Sequence, residues 1–163
     1  MTRETDLAYI AGLLDGEAYI GIKRVTTLRN GRVNPAYHPR IQVRMVDEPA
    51  IAFLAETLGG TYYKERAAHD NRRTLYCYAA SDKLAIGVLE SVLPYLRVKR
   101  DVALAVLSLH DLRKQGDKVA VLTTMKNRWG VEQPFTRWRY SESHIAACES
   151  LWQRCSDINH GAE

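Results

Sequence analysis

Nothing in this chain of 163 residues reads as a membrane span or a secretory leader. Apolar runs such as Ile51 to Ala55 fall far short of the roughly 20 residues that cross a bilayer, and Met1 to Asp6 is too charged for a signal peptide. Cysteine is scarce. Cys77, Cys148 and Cys155 are odd in number and form no CxxC pair, which argues against a disulfide framework or a thiolate zinc site and leaves them as small buried hydrophobes. The five histidines show no HxxxH or HExxH spacing. With 46% hydrophobic residues the chain can bury a core, so global disorder is excluded. A soluble intracellular protein of one domain, 1–163, is expected, its compartment open.

Acid is missing where it matters. Between Glu17 and Asp47 there is none, while Lys23, Arg24, Arg29, Arg32, Arg40 and Arg44 concentrate positive charge in a chain of net charge +4. Such a stretch suits an anionic partner or a plain solvated face. From Tyr37 to Val46 the residues Ile41, Val43 and Met45 alternate with Arg40, Gln42 and Arg44, the period of a half-buried strand. Ala18 to Arg29 reads as its partner, with Tyr19, Lys23, Thr27 and Arg29 at one parity, and Asn30-Gly31 and Asn34-Pro35 supply turns. A second hairpin is expected from Thr61–Arg66 and Arg72–Ala80 around His69-Asp70-Asn71. In it Leu75, Cys77 and Ala79 would face inward, while Lys64, Arg66, Arg72, Thr74 and Tyr76 continue a wet cationic face.

Helices fill the intervals. Asp47 can cap one that begins at Pro49 and ends at Gly59-Gly60, and Ser81 can cap another that Pro94 breaks. A third runs from about Lys99 to Lys114 and stops at Gly116, and a last one covers about Ser141 to Cys155. Val119 to Tyr140 shows no clean period. It holds Lys126, Arg128, Arg137 and Arg139 beside Trp129 and Trp138, either as a phosphate-contacting excursion or as a loop pinned by its tryptophans.

Asp6 can cap an N-terminal helix over Leu7–Leu14 that carries the small residues Ala8, Ala11 and Gly12. Its end, Leu14-Asp15-Gly16-Glu17, delivers two carboxylates to the negative pole of the helix, where a cation is wanted; Mg²⁺ would suit them. The nonapeptide from Ile10 to Ala18, IAGLLDGEA, closely resembles the signature of the LAGLIDADG homing endonucleases. The element order resembles that family's αββαββα core over about residues 5–115, and Pro94 to Arg100 looks like its basic turn before a helix. The resemblance implies an α+β fold with a four-stranded antiparallel DNA-binding sheet; the chain beyond it, about 116–163, matches nothing in the family and is expected to be an extension with extra C-terminal helices.

By that resemblance Glu17 looks like the metal-binding acid, aided by the Gly16 carbonyl, with Mg²⁺ as cofactor and Mn²⁺ or Ca²⁺ able to take its place. Lys99 looks like the lysine beside the scissile phosphate. Lys23, Thr27, Arg29, Arg32, His38, Arg40, Gln42, Arg44, Lys64, Arg66, Arg72, Thr74, Tyr76, Arg137 and Arg139 would contact double-stranded DNA. A single signature implies a homodimer joined through Ala8, Ala11, Gly12 and Asp15. Met45 and Pro49 depart from polar and basic residues of some members, and Ala18 replaces a terminal glycine. The implied activity is site-specific double-strand cleavage, with no membrane and no small-molecule substrate. An intron RNA maturase or a non-cleaving DNA-binding protein of the same fold is the alternative.

Overall fold

The computed structural model describes residues 3–29, 32–67, 69 and 72–161, with backbone alone for residues 28, 29 and 32–34. Helix α1 (Glu4–Glu17) begins a turn earlier than Asp6 suggests. Arg3 takes the N-cap position without a side-chain bond, and Asp6 lies within the first turn, where its charge suits the positive pole. Leu7, Ile10, Ala11 and Leu14 recur at helical spacing and form its inward stripe.

Strands β1 (Ala18–Arg29) and β2 (Arg32–Met45) pair antiparallel from Ala18 opposite Val43 to Arg29 opposite Arg32. Asn30 and Gly31 lie outside the described residues. Asn34 and Pro35, expected to turn, instead continue β2 opposite Thr27 and Thr26. Strands β3 (Tyr62–Arg66) and β4 (Leu75–Ser81) complete a sheet of order β1-β2-β4-β3. Asp70 and Asn71 also lie outside the described residues, between the bridged pair His69 and Arg72.

Directly opposed residues share a face. Val43 stands opposite Tyr78 and Ile41 opposite Ala80, so the core face of β4 is Tyr76, Tyr78 and Ala80. The expected parity of this strand is therefore inverted. Tyrosine carries enough apolar ring to serve as core when its hydroxyl finds a partner. Here Tyr78 donates to the Gly59 carbonyl at 3.0 Å.

The helices pack on that face. Asp47 caps α2 (Glu48–Leu58), its Oδ1 accepting from Ala50 N at 2.9 Å. Ser81 stands at the N-cap of α3 (Asp82–Val92) but makes no capping bond. Helix α4 (Arg100–Gln115) ends on Gly116 at φ 58°, a left-handed conformation that glycine adopts without penalty.

The extension is not all helical. Residues without a legible period form a separate hairpin, β5 (Lys118–Lys126) with β6 (Glu132–Tyr140). Helix α5 (Glu142–His160) follows, capped by Ser141 accepting from His144 N at 3.1 Å. It packs beside α4 and along β1, burying Cys148 and Cys155; burial pushes the Cys155 thiol up to about 11, so it stays protonated. Cys77 is buried too, and all three cysteines are free.

Candidate nucleic-acid interface and active site

The face turned away from the helices carries Tyr19, Lys23 and Thr27 of β1, which the register sets beside His38, Arg40, Gln42 and Arg44 of β2. Each of these is exposed or half-buried. Arg44 is anchored, donating from Nε to both Glu65 oxygens at 3.0 and 2.7 Å, and this carboxylate raises its pKa. The Arg40 Nε is buried without a hydrogen-bond partner. Gly21 lies between Tyr19 and Lys23, opposite Arg40; a Cβ there would stand 2.6 Å from the Tyr19 hydroxyl. Glycine is what lets the Tyr19 ring lie flat on this face.

Other expected contacts are dispersed. Tyr76 turns to the core side, where its ring meets that of Tyr62, and half-buried Thr74 precedes β4. Lys64 sits opposite Tyr76 on that same side, although exposed, and Arg66 follows a bulge opposite Leu75. Arg72 belongs to the connection before β4. Arg137 and Arg139 stand on β6, away from the sheet. The side chains of Arg29 and Arg32 lie outside the described residues. Sequence reasoning missed Tyr63 and Glu65 as members of this face; only the observed pairing with β4 and the ion pair to Arg44 reveal them.

At the start of β1 the chain leaves α1 through Asp15, Gly16 and Glu17. Asp15 accepts three backbone bonds, from Arg97 N at 2.7 Å, Val98 N at 3.2 Å and Lys99 N at 2.8 Å. Burial pushes the Asp15 carboxyl up, but those bonds and the Lys99 charge outweigh it and hold it below its ordinary value. The return contact comes from Lys99, whose Nζ donates to the Leu14 and Asp15 carbonyls at 2.9 and 2.8 Å. A cation thus closes the negative end of α1 while an anion closes the start of α4. Burial lowers the Lys99 pKa, opposed by the Asp15 and Glu17 charges.

Two of the expected interface residues are engaged within the chain itself. The Asp15 carboxylate is taken up within its own chain, and Ala11 is fully buried in its own core because it shares a face with Leu7 and Leu14. Ala8, Gly12 and Gly16 remain exposed along α1. Replacing Asp15 by alanine strips three N–H groups of their acceptor and is expected to cost about 2–4 kcal/mol. Urea unfolding measures it, and a loss below about 0.5 kcal/mol would remove Asp15 from the framework.

Glu17 is exposed beside this clasp. Among the described residues no group of three or more His, Cys, Asp and Glu converges to hold a metal. With Asp15 engaged, one chain offers the Glu17 carboxylate and the Gly16 carbonyl. That donor set fits a hard ion such as Mg²⁺, which keeps waters and completes its shell from phosphate or a second carboxylate; it does not fit a cage built by one chain.

Solved structures share this fold. The homing endonuclease I-CvuI, in complex with a DNA target, matches with a TM-score of 0.67 at 16% identity over 95% of this chain and 82% of its own. The archaeal intron-encoded homing endonuclease I-Vdi141I, complexed with DNA, matches at 0.60 and 14% identity over 98% and 86%. The LAGLIDADG homing endonuclease I-LtrWI, bound to target DNA, matches at 0.51 and 13% identity over 83% and 66%.

The chain has the LAGLIDADG homing endonuclease fold.

No family model and no curated protein matches the sequence. In this LAGLIDADG fold the nonapeptide occupies the last turns of α1 and the step into β1, so Asp15 and Glu17 take different tasks two residues apart: one faces α4 and the other faces solvent.

Proposed function

We propose that the protein is a site-specific DNA endonuclease working as a homodimer. The observation that carries this reading is the exposed Glu17 and the Lys99 ammonium standing together at the head of a bare sheet face that bears Lys23, His38, Arg40, Gln42 and Arg44. Two copies meeting along Ala8, Gly12 and Gly16 would bring their Glu17 carboxylates to one place, and their sheets would lie along the major groove of a long pseudo-palindromic duplex.

Glu17 and the Gly16 carbonyl would hold Mg²⁺ in this reading, and the chemistry it would supply there is an acidified water and charge neutralisation at the leaving oxygen. Lys99, fixed by the two α1 carbonyls, keeps a positive charge next to the reacting phosphate. Asp15 positions Lys99 by fixing the backbone that carries it. Cleavage on both strands leaves staggered ends with 5′ phosphates and 3′ hydroxyls. Incubating the protein with supercoiled plasmid carrying candidate insertion sites, with and without Mg²⁺, tests the reading; linear product is expected only with the metal. Binding to such sites without any cutting would instead favour a regulator, and selective binding of intron RNA a maturase.

Lys99→Met removes both the positive charge beside the phosphate and the cap on α1. The cleavage rate is expected to fall by about 10²-fold and stability by about 1 kcal/mol. Single-turnover kinetics and urea unfolding read the two effects separately, and a wild-type rate would make Lys99 purely structural. Arg40→Ala is expected to relax preference at one symmetric pair of target positions by about 1–3 kcal/mol, because its fork suits guanine edges. A scan of single-base target variants checks this. An unchanged profile for both Arg40→Ala and Arg44→Ala would remove base readout from β2.

A further inference from the structure

The hairpin of β5 and β6 has no place in the reading above, and no packing explains it. The two strands pack on each other and on little else, and only Val121 and Arg139 among their residues are even half-buried. Leu122, Trp129 and Trp138 are 77%, 75% and 65% exposed. A two-stranded ribbon with both faces bare is marginal by itself, so a partner is required to account for this much exposed apolar surface.

The charge says which partner. Lys118, Lys126, Arg128, Arg137 and Arg139 face one acid, Glu132, so residues 118–140 carry +4, the whole net charge of the chain; the other residues sum to zero. A second copy of the hairpin would bring like charges together, whereas a polyanion would not. The tip is built to present a cation on an aromatic ring. Asn127 Oδ1 accepts from Trp129 N at 2.9 Å and from Val131 N at 3.1 Å, Gly130 turns the chain at φ 78°, and the Arg128 guanidinium lies 4.4 Å from the Trp129 ring centroid.

The base of the hairpin is pinned. Ser141 donates from its N to the Asp117 carbonyl at 3.0 Å and from its hydroxyl to the Asp117 carboxylate, and Tyr140 shares a cavity of about 120 Å³ with Pro35, Tyr37 and His38. Tyr37 is six residues along β2 from Val43, the partner of Ala18, so the hairpin springs from the sheet about 20 Å from the Glu17 end. Its nine-residue strands span about 30 Å, just under one turn of duplex.

We propose that β5–β6 is an accessory arm that grips double-stranded DNA outside the segment spanned by the four-stranded sheet, through phosphate contacts from its cations and apolar contact from its tip tryptophan. It rests on the proposed DNA-binding function and adds a second contact region to it. The arm contributes affinity and length of site and no base preference.

The test compares the full chain with the exposed-surface triple variant Lys126→Ala/Arg128→Ala/Arg137→Ala, by binding in EDTA to a selected target duplex with long flanks and to one trimmed to the sheet's span. The slope of log affinity against log salt on the long duplex is expected to fall by up to about 5, at about 0.9 per phosphate contact for three cations on each of the dimer's two arms. The footprint should shorten at both ends, and the two proteins should bind the trimmed duplex alike. A second variant, Trp129→Ala, is expected to weaken binding to the long duplex and not to the trimmed one. Unchanged slope and footprint in the triple variant would overturn the arm and leave the nuclease reading standing. A triple variant that loses RNA binding alone, or loses dimerisation, would overturn it in favour of those partners. No binding of any duplex by the full chain would overturn both readings.

Discussion

Glu17→Gln is expected to abolish cleavage while leaving DNA affinity and stability nearly unchanged. The substitution keeps the side chain's shape and removes its charge. Glu17 is exposed at the C-terminal end of α1, where its charge opposes the helix dipole but favours the Lys99 ammonium, so neutralising it should leave stability within about 0.5 kcal/mol. The duplex is held in the proposed function by the sheet face and the cations around it, none of which the variant alters. Loss of activity with an unchanged melting temperature would therefore not be misfolding. Plasmid cleavage, gel-shift affinity and thermal melting of one preparation read the three quantities. Measurable cutting by verified Glu17→Gln protein would dismiss the proposed metal site.

Gly12→Leu separates a dimeric from a monomeric protein by the sign of its effect. A Cβ added at Gly12 meets nothing within 4 Å, and the same holds at Gly16, so the chain itself accepts the larger residue. In an exposed helix interior, replacing glycine by leucine gains up to about 1 kcal/mol of helix propensity. If two α1 helices approach along Ala8, Gly12 and Gly16, the leucine instead forces them apart at a cost of about 1–3 kcal/mol for each copy. Light scattering with target DNA present is expected to show a dimer for wild type and a weakened or absent dimer for the variant, with cleavage lost alongside. A variant that stays dimeric and active would place the contact on another face.

The sequence was most legible where a local rule acts alone. Asp47 before Pro49 started α2 and Gly116 ended α4 where their chemistry requires. The alternation of Ile41, Val43 and Met45 with Arg40, Gln42 and Arg44 fixed which side of β2 is wet, because a core on one side enforces the period. β4 misled because Tyr76, Tyr78, Ala79 and Ala80 carry little polarity contrast, so the pattern could be read either way round. Hairpin β5–β6 left no period at all, since neither of its faces is buried. On α1 the small residues were grouped by size alone, although Ala11 stands with Leu7, Ile10 and Leu14 and only Ala8 and Gly12 look outward. Within the candidate site, the positions of Glu17 and Lys99 were readable from the nonapeptide and the basic turn. The reciprocal bonding of Asp15 and Lys99 was not, since it joins residues 84 apart in the chain.

A sheet that keeps one broad face bare is exposed to adding foreign strands at its rims, and the two rims here are guarded by different means. At β1, helix α5 lies along the strand and Asn159 Nδ2 donates to the Ile20 carbonyl at 2.9 Å, occupying an acceptor that an incoming strand would use. At the opposite rim β3 is only five residues long, carries Lys64, Glu65 and Arg66, and is broken by a bulge between Lys64 and Arg66. Short, charged and irregular edges resist edge-to-edge pairing. Aggregation should therefore begin not at the four-stranded sheet but at the unguarded ribbon of β5 and β6, and polyanions that cover that ribbon should raise the protein's solubility limit.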